Sequence, residues 1–224
     1  MPDLHARLLA DVIAIGSPYP LVLTGGYAVQ AHDLVARPSQ DLDVATENPA
    51  PMDDIAAALR DGLEKRGWQV AEIEIAPLSA RFTVTEWTTG IACEVDVLKE
   101  CFYRPPMSTT YGPVLAEEDV IGTKIRALAG RTVPRDLIDA FAASRRWTNA
   151  DLEQFGRRHS RERFDLEGLQ EHLVGAEWFD DAHFEAYGLD APTIHALRTW
   201  AQAWAEDLAE RLHDEDDGES GGDS

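Results

Sequence analysis

The sequence contains only 2 cysteines, Cys93 and Cys101, in 224 residues. That is too few for a disulfide framework and fits reduced thiols in a cytoplasmic setting. Cys93 alternates with Val95 and Val97 in a strand-like run, which makes it a small core residue. Apolar runs of about eighteen residues are absent, which excludes a transmembrane helix on length. The opening MPDLHARLLADVIAIG has Asp3 and Asp11 where a signal peptide would be basic. The expected location is therefore the cytoplasm, with no membrane partner. The 7 histidines are scattered, with neither HExxH nor a Cys/His ligand spacing, so zinc is not expected. GxSxG and P-loop motifs are also missing.

Basic side chains are scarce as well. Lys and Arg number 20 against 41 Asp and Glu, a net charge of −21, and such a polyanion disfavours broad, non-specific binding to nucleic acid. The distribution is uneven. Residues 124–163 hold 10 basic and 5 acidic side chains, whereas residues 164–224 hold 2 basic and 17 acidic. The middle stretch reads either as an arginine-rich helical surface satisfied by neighbouring acids or as an electropositive wall beside a phosphate-handling site. Within it, Arg157, Arg158, Arg161 and Arg163 are candidates for an RNA backbone, with a solvated helix end as the plainer role. With 44% hydrophobic residues, the chain has enough apolar surface for a core.

Periodicity and breakers predict a helix over 3–15 closed by Gly16, then a buried strand over 21–24 running into Gly25-Gly26. A helix over 27–35, a strand over 41–44 and a helix over 53–66 stopped by Gly67 follow. Three strand-like runs come next, over 68–75, 80–87 and 91–98, the last two joined by a Thr88-Thr89-Gly90 turn. Beyond Pro105-Pro106 the character becomes helical, with helices over 117–130 and from Pro134 or Arg135 to 146. Helical spacing then continues to about 213, with Trp178, Trp200 and Trp204 as core anchors. The organisation expected is an α/β domain over 1–110, a helical lobe over 111–213 and a disordered acidic tail over 214–224.

The segment LVLTGGYAVQAHDLVARPSQDLDV carries the most chemistry. Glycines at a strand-to-helix turn let backbone approach a ligand, and the helix start offers free N–H groups to phosphate. In Asp41-Leu42-Asp43 the two acids share one face of a strand, with Cα atoms about 7 Å apart. Such carboxylates suit Mg²⁺ or Mn²⁺, hard cations that share their shell with substrate phosphates. Either motif alone is weak, since Asp-x-Asp also occurs in metal-binding glycosyltransferases; joined at this spacing they are a strong signal. In Ile91–Leu98, Glu94 and Asp96 also project to one face. Asp96 is the better third acid, to complete a metal cluster or to accept the proton of an attacking hydroxyl, and Glu94 is the reserve.

GGYAVQ, RPSQDLDV and CEVDVL together resemble the nucleotidyltransferase superfamily of DNA-polymerase-β type. The later LAEEDVIGTKIRALAGRTVPRDLIDAF is similar to the AbiEii/AbiGii branch, which includes toxins of abortive-infection and toxin–antitoxin systems. That branch carries a helix with a lysine and then an Arg-Asp pair opening the next helix. Here those positions read Lys124, Arg131, Arg135 and Asp136, with Asp139 one turn on. The resemblance covers roughly residues 20–142. Lys124 suits a triphosphate or departing pyrophosphate, and Asp136 would orient Lys124 or touch the nucleotide; a structural Lys–Asp bridge is compatible with both.

The resemblance implies a nucleotidyltransferase fold, a small mixed sheet flanked by helices with a C-terminal helical lobe, and a site in the cleft between them. It implies an NTP substrate, Mg²⁺ or Mn²⁺ held by Asp41, Asp43 and Asp96, and catalytic roles for these acids with Lys124 and Asp136. Gly25, Gly26, Lys124 and Arg135 would bind the nucleotide. A tRNA end is the implied acceptor and a cognate antitoxin the implied partner. Two alternatives stay open: an antibiotic nucleotidyltransferase with a cationic aminoglycoside acceptor, suited to the acidic surface, and a non-catalytic nucleotide- or protein-binding module of the same fold.

Overall fold

The first helix shows how the sequence builds its layers. In α1 (Asp3–Ile15), Leu8, Leu9 and Val12 fall on one face and are buried, as the helical repeat requires. The structure, a computed structural model, describes residues 1–37 and 39–220, with side chains through 214. It divides into two compact units, Met1–Val120 and Ile121–Ser224.

The first unit is built on a mixed seven-stranded sheet. After α1 come β1 (Val22–Leu23), α2 (Gly25–Ala31), β2 (Leu42–Thr46), α3 (Met52–Lys65), β3 (Trp68–Ala76), β4 (Ser79–Glu86), β5 (Ala92–Lys99), β6 (Met107–Thr109) and β7 (Gly112–Val114). The strand order is β3-β4-β5-β2-β1-β7-β6. β2 runs parallel to β5 and β1 parallel to β7, and the other neighbours are antiparallel. One core joins Leu8, Leu9 and Val12 of α1 to Ile55, Leu59 and Leu63 of α3 and to Val44, Phe82, Val84, Val95 and Val97 of the sheet. Along β5 the apolar residues Cys93, Val95 and Val97 are buried while Glu94 and Asp96 alternate to the other face. This strand is what fixes the acids' direction.

The second unit holds most of α4 (Glu117–Gly130) and then α5 (Pro134–Ala143), α6 (Asn149–His159), α7 (Leu166–Val174), a 3₁₀ turn at Gly175–Trp178, α8 (Asp181–Glu185) and α9 (Ala191–Ser220). Thr148 starts α6 with a capping box: its hydroxyl accepts from the Asp151 N–H, and the Asp151 carboxylate accepts from the Thr148 N–H at 3.0 Å, an exchange that satisfies two end donors. Trp204 is fully buried, and its indole N–H donates to Glu153 at 3.2 Å. Glu153 also takes Arg211 at 2.6 and 3.1 Å. A buried carboxylate thereby ties α6 to α9, and Arg211 is held charged by the Glu153 hydrogen bonds, which raise its pKa.

Several elements differ from the sequence expectation. α2 starts at the glycines and stops at Ala31, because Asp33 turns the chain with φ of 55°. The β6–β7 hairpin follows Pro105-Pro106, where helix was expected. Its three-residue strands are too short to show alternation, and Gly112 makes the turn at φ of 96°. The hairpin belongs to the sheet, so the first unit extends past 110. Trp178, expected in the core, is 81% exposed on the 3₁₀ turn. The acidic stretch from 214 continues α9 to Ser220: extending an existing helix costs far less than starting one. Residues 221–224 of the expected tail lie outside the described residues. Among the described residues no helix is long and apolar enough to cross a membrane.

Candidate active site

Gly25 sits where β1 gives way to α2, with φ of 62°, in the left-handed region that favours glycine. A Cβ there would lie 1.8 Å from Oδ2 of Asp43. The glycine thus serves two ends: it makes the turn, and it lets backbone lie directly against the carboxylate. The adjoining Thr24 N–H donates to the Asp43 carbonyl at 2.9 Å. Gly26 is buried and turned to the connecting loop, where a Cβ would meet Oγ of Ser39 at 2.4 Å. Asp41 stands at a bend just before β2. Its negative charge acts on His5, Tyr27, Cys93 and Arg81.

Asp43 and Asp96 are direct partners in the parallel β2–β5 ladder, which places their Cα atoms about 4.8 Å apart. Asp96 is in turn the antiparallel partner of Arg81 on β4. Arg81 Nε donates to Oδ1 and Nη2 to Oδ2 of Asp96, both at 2.7 Å, and Nη1 lies 3.3 Å from Glu94. The Asp96 hydrogen bonds hold the Arg81 pKa above the usual guanidinium value. Asp43, Asp96, Glu94 and Arg81 therefore form one charged rank across three strands.

Behind Asp41 lies a hydrogen-bonded chain. His5 Nδ1 meets the Tyr27 hydroxyl at 2.6 Å, and that hydroxyl donates to the Ser39 carbonyl at 2.8 Å. Burial pushes the Tyr27 hydroxyl up to about 12 and the Cys93 thiol up to about 12, with Asp41 adding to both. Burial lowers the His5 pKa while Asp41 opposes it. Arg81, His5 and Tyr27 were not singled out by sequence reasoning. For Arg81 the signal was incomplete: counting outward by equal steps from the Thr88-Thr89-Gly90 turn sets it opposite Val97, one residue off its observed partner Asp96.

The residues of the later motif lie in the second unit. Lys124 Nζ is 3.2 Å from Oδ2 of Asp139, both side chains being largely buried. The ion-pair partner of Lys124 is thus Asp139, one turn along α5 from Asp136. Asp136 takes Arg131 Nε at 2.9 Å instead, and its other carboxylate oxygen has no hydrogen-bond partner among the described residues. Arg135, half-buried, opens the same helix. Of the arginine cluster, Arg157 lies 3.6 Å from Glu153 and stacks over Phe164, and Arg158 stacks over Phe155. Arg157 and Arg163 line an open groove of about 560 Å³ with Phe164 and Leu212.

Carboxylate oxygens are the right donors for a hard divalent cation. Asp41 and Asp43 provide two on either side of Leu42, enough for a cation that completes its shell with phosphate and water. The three-acid grouping is a different matter: among the described residues no set of three His, Cys, Asp or Glu side chains is placed to share one ion. Asp96 is occupied with Arg81.

Solved structures share this architecture. JHP933 from Helicobacter pylori matches with a TM-score of 0.58 at 16% identity, over 96% of this chain and 97% of that one. MenT4, a nucleotidyltransferase toxin from Mycobacterium tuberculosis H37Rv, matches with a TM-score of 0.59 at 15% identity, over 92% and 82%. At these identities the likeness establishes the fold, which is that of the nucleotidyltransferases. No curated protein sequence matches the chain significantly. The family profile "Nucleotidyl transferase AbiEii toxin, Type IV TA system" matches residues 7–217. The chain belongs to that AbiEii family and is a nucleotidyltransferase.

Proposed function

We propose that the protein transfers a nucleoside monophosphate from an NTP to the hydroxyl of an RNA end, a tRNA among them, with Mg²⁺ or Mn²⁺ as cofactor. The observation that carries this reading is the placement of Asp43. It lies against the Gly25 backbone on one side and beside Asp96 on the neighbouring parallel strand on the other. In this reading Asp41 and Asp43 hold the cation, which supplies positive charge to the polyphosphate. Gly25 and Gly26 contact phosphate through backbone N–H groups. Asp96, with one of its Arg81 hydrogen bonds given up, accepts the proton of the attacking hydroxyl. The hydroxyl oxygen forms a bond to the α-phosphorus, the α–β phosphoanhydride bond breaks, and pyrophosphate leaves with the electron pair.

Lys124 neutralises charge on the triphosphate or the leaving pyrophosphate, held by Asp139, with Arg135 and Asp136 beside it on α5. The type IV toxin–antitoxin character of the family supports an antitoxin as partner and growth inhibition as the effect. The basic stretch over 124–163 supports an anionic acceptor over an aminoglycoside. Incubation of the purified protein with each α-³²P-labelled NTP, Mg²⁺ and total tRNA tests the reading. Label on RNA from one nucleotide is the expected result. Label on an aminoglycoside but not on RNA would move the acceptor to a small molecule. Nucleotide binding without transfer to any acceptor would contradict the proposal.

A further inference from the structure

Arg81 is bound unusually completely for a surface strand residue. All three guanidinium nitrogens face β5 acids: Nε and Nη2 on the two oxygens of Asp96 at 2.7 Å, and Nη1 3.3 Å from Glu94. The fork-on-carboxylate geometry fixes the plane of Asp96 as well as its position. The Asp96 side chain is 14% exposed while that of Arg81 is 47% exposed. The acid is therefore held inward and the guanidinium closes over it from the solvent side.

The register makes this pairing matter to the neighbouring strand. Asp96 is the rung between Arg81 and Asp43, so the guanidinium places a permanent positive charge on the carboxylate that neighbours Asp43. A divalent cation approaching Asp43 meets that charge, and to use Asp96 it must also compete for a carboxylate already engaged at both oxygens. Among the described residues no three-acid cation grouping forms, although Asp43 and Asp96 stand side by side in the ladder.

We propose that Arg81 is a positioning residue that withholds Asp96 from the cation in the resting site, so that cation and guanidinium compete for the same carboxylate. The inference rests on the nucleotidyl-transfer reading only in taking Asp43 as a cation ligand. The competition makes cation uptake at Asp96 depend on Arg81 giving way. Nothing in it requires the identity of the nucleotide or the acceptor.

Titration of the nucleotide-free protein with Mn²⁺, read from the electron paramagnetic resonance of the free ion, tests it. Arg81→Ala and the similarly sized Arg81→Gln should bind Mn²⁺ roughly tenfold more tightly than the unaltered chain, a modest share of what one unit charge exerts at this range. Arg81→Lys keeps the charge without the fork and should fall between. Adding Asp96→Asn to Arg81→Ala should cancel the gain. Unchanged or weaker binding in both Arg81→Ala and Arg81→Gln overturns the proposal, as does a gain that survives Asp96→Asn or the absence of Mn²⁺ binding in every variant. A chain that binds Mn²⁺ as stated but transfers no nucleotide would fail the functional reading alone.

Discussion

The acids of the two units are used in opposite ways. In the first unit Asp41, Asp43, Glu94 and Asp96 are half-buried, and the last three lie on one face of a sheet. Glu94 and Asp96 meet a guanidinium that reaches in from solvent. In the second unit Asp136 and Asp139 are buried, and each is closed on a basic side chain of the preceding segment, Arg131 or Lys124. A buried carboxylate without such a partner is costly, so the second arrangement holds helices together before it does anything else. A half-exposed carboxylate beside glycine backbone exchanges its partner at far lower cost. The contrast separates acids at the half-exposed face of a sheet from acids buried in a helical frame.

The comparison breaks most visibly at Asp139. Asp139→Ala leaves Lys124 largely buried without its counter-ion and should cost about 3–5 kcal/mol in urea unfolding. Arg81→Ala, at a half-exposed pair, should cost no more than about 1 kcal/mol. Equal costs would dissolve the distinction. Gly25→Ala should come next, losing about 1–3 kcal/mol from a side chain forced into positive φ. It should also lose activity, because its Cβ overlaps the Asp43 carboxylate. Gly67→Ala, at φ of 88° but with nothing within 4 Å, shares the backbone strain alone and should leave activity intact.

Smaller effects sharpen the picture around Asp41. The His5 pKa is lowered from 6.5 by burial, so the fold favours neutral imidazole. That contribution is complete above 6.5 and is lost as pH falls through the lower folded value. Melting temperatures between pH 8 and pH 5 should fall further for the unaltered chain than for His5→Gln. The thiols give the mildest test. At pH 8 a thiol reagent should label exposed Cys101 and leave Cys93 untouched until the protein unfolds, since the buried thiol titrates only at about 12.

Much of the sheet was legible because alternation and turn chemistry are local. The period-two pattern of 91–98 gives the direction of Asp96 before any fold is known, and the Gly25-Gly26 turn announces a close approach. What the glycine approaches is not local. That Gly25 meets Asp43, and that Asp43 ladders with Asp96, follow from β1–β2 pairing across α2 and β2–β5 pairing across α3, β3 and β4. The β6–β7 hairpin and exposed Trp178 escaped for different reasons. Three-residue strands have no period to detect, and an aromatic at helical spacing looks the same whether its helix continues or ends in a 3₁₀ turn. Asp136 and Asp139 lie on one helical face, so spacing leaves the choice of Lys124's partner undecided; packing selects Asp139.

Asp43→Ala tests most directly the claim that the chemistry belongs to the sheet acids. Transfer of labelled nucleotide and urea unfolding would be measured on the same preparation beside the unaltered protein. The account predicts transfer lowered on the order of 10²–10³-fold in a protein that still unfolds cooperatively in urea. Transfer that persists undiminished in a folded Asp43→Ala protein would contradict it.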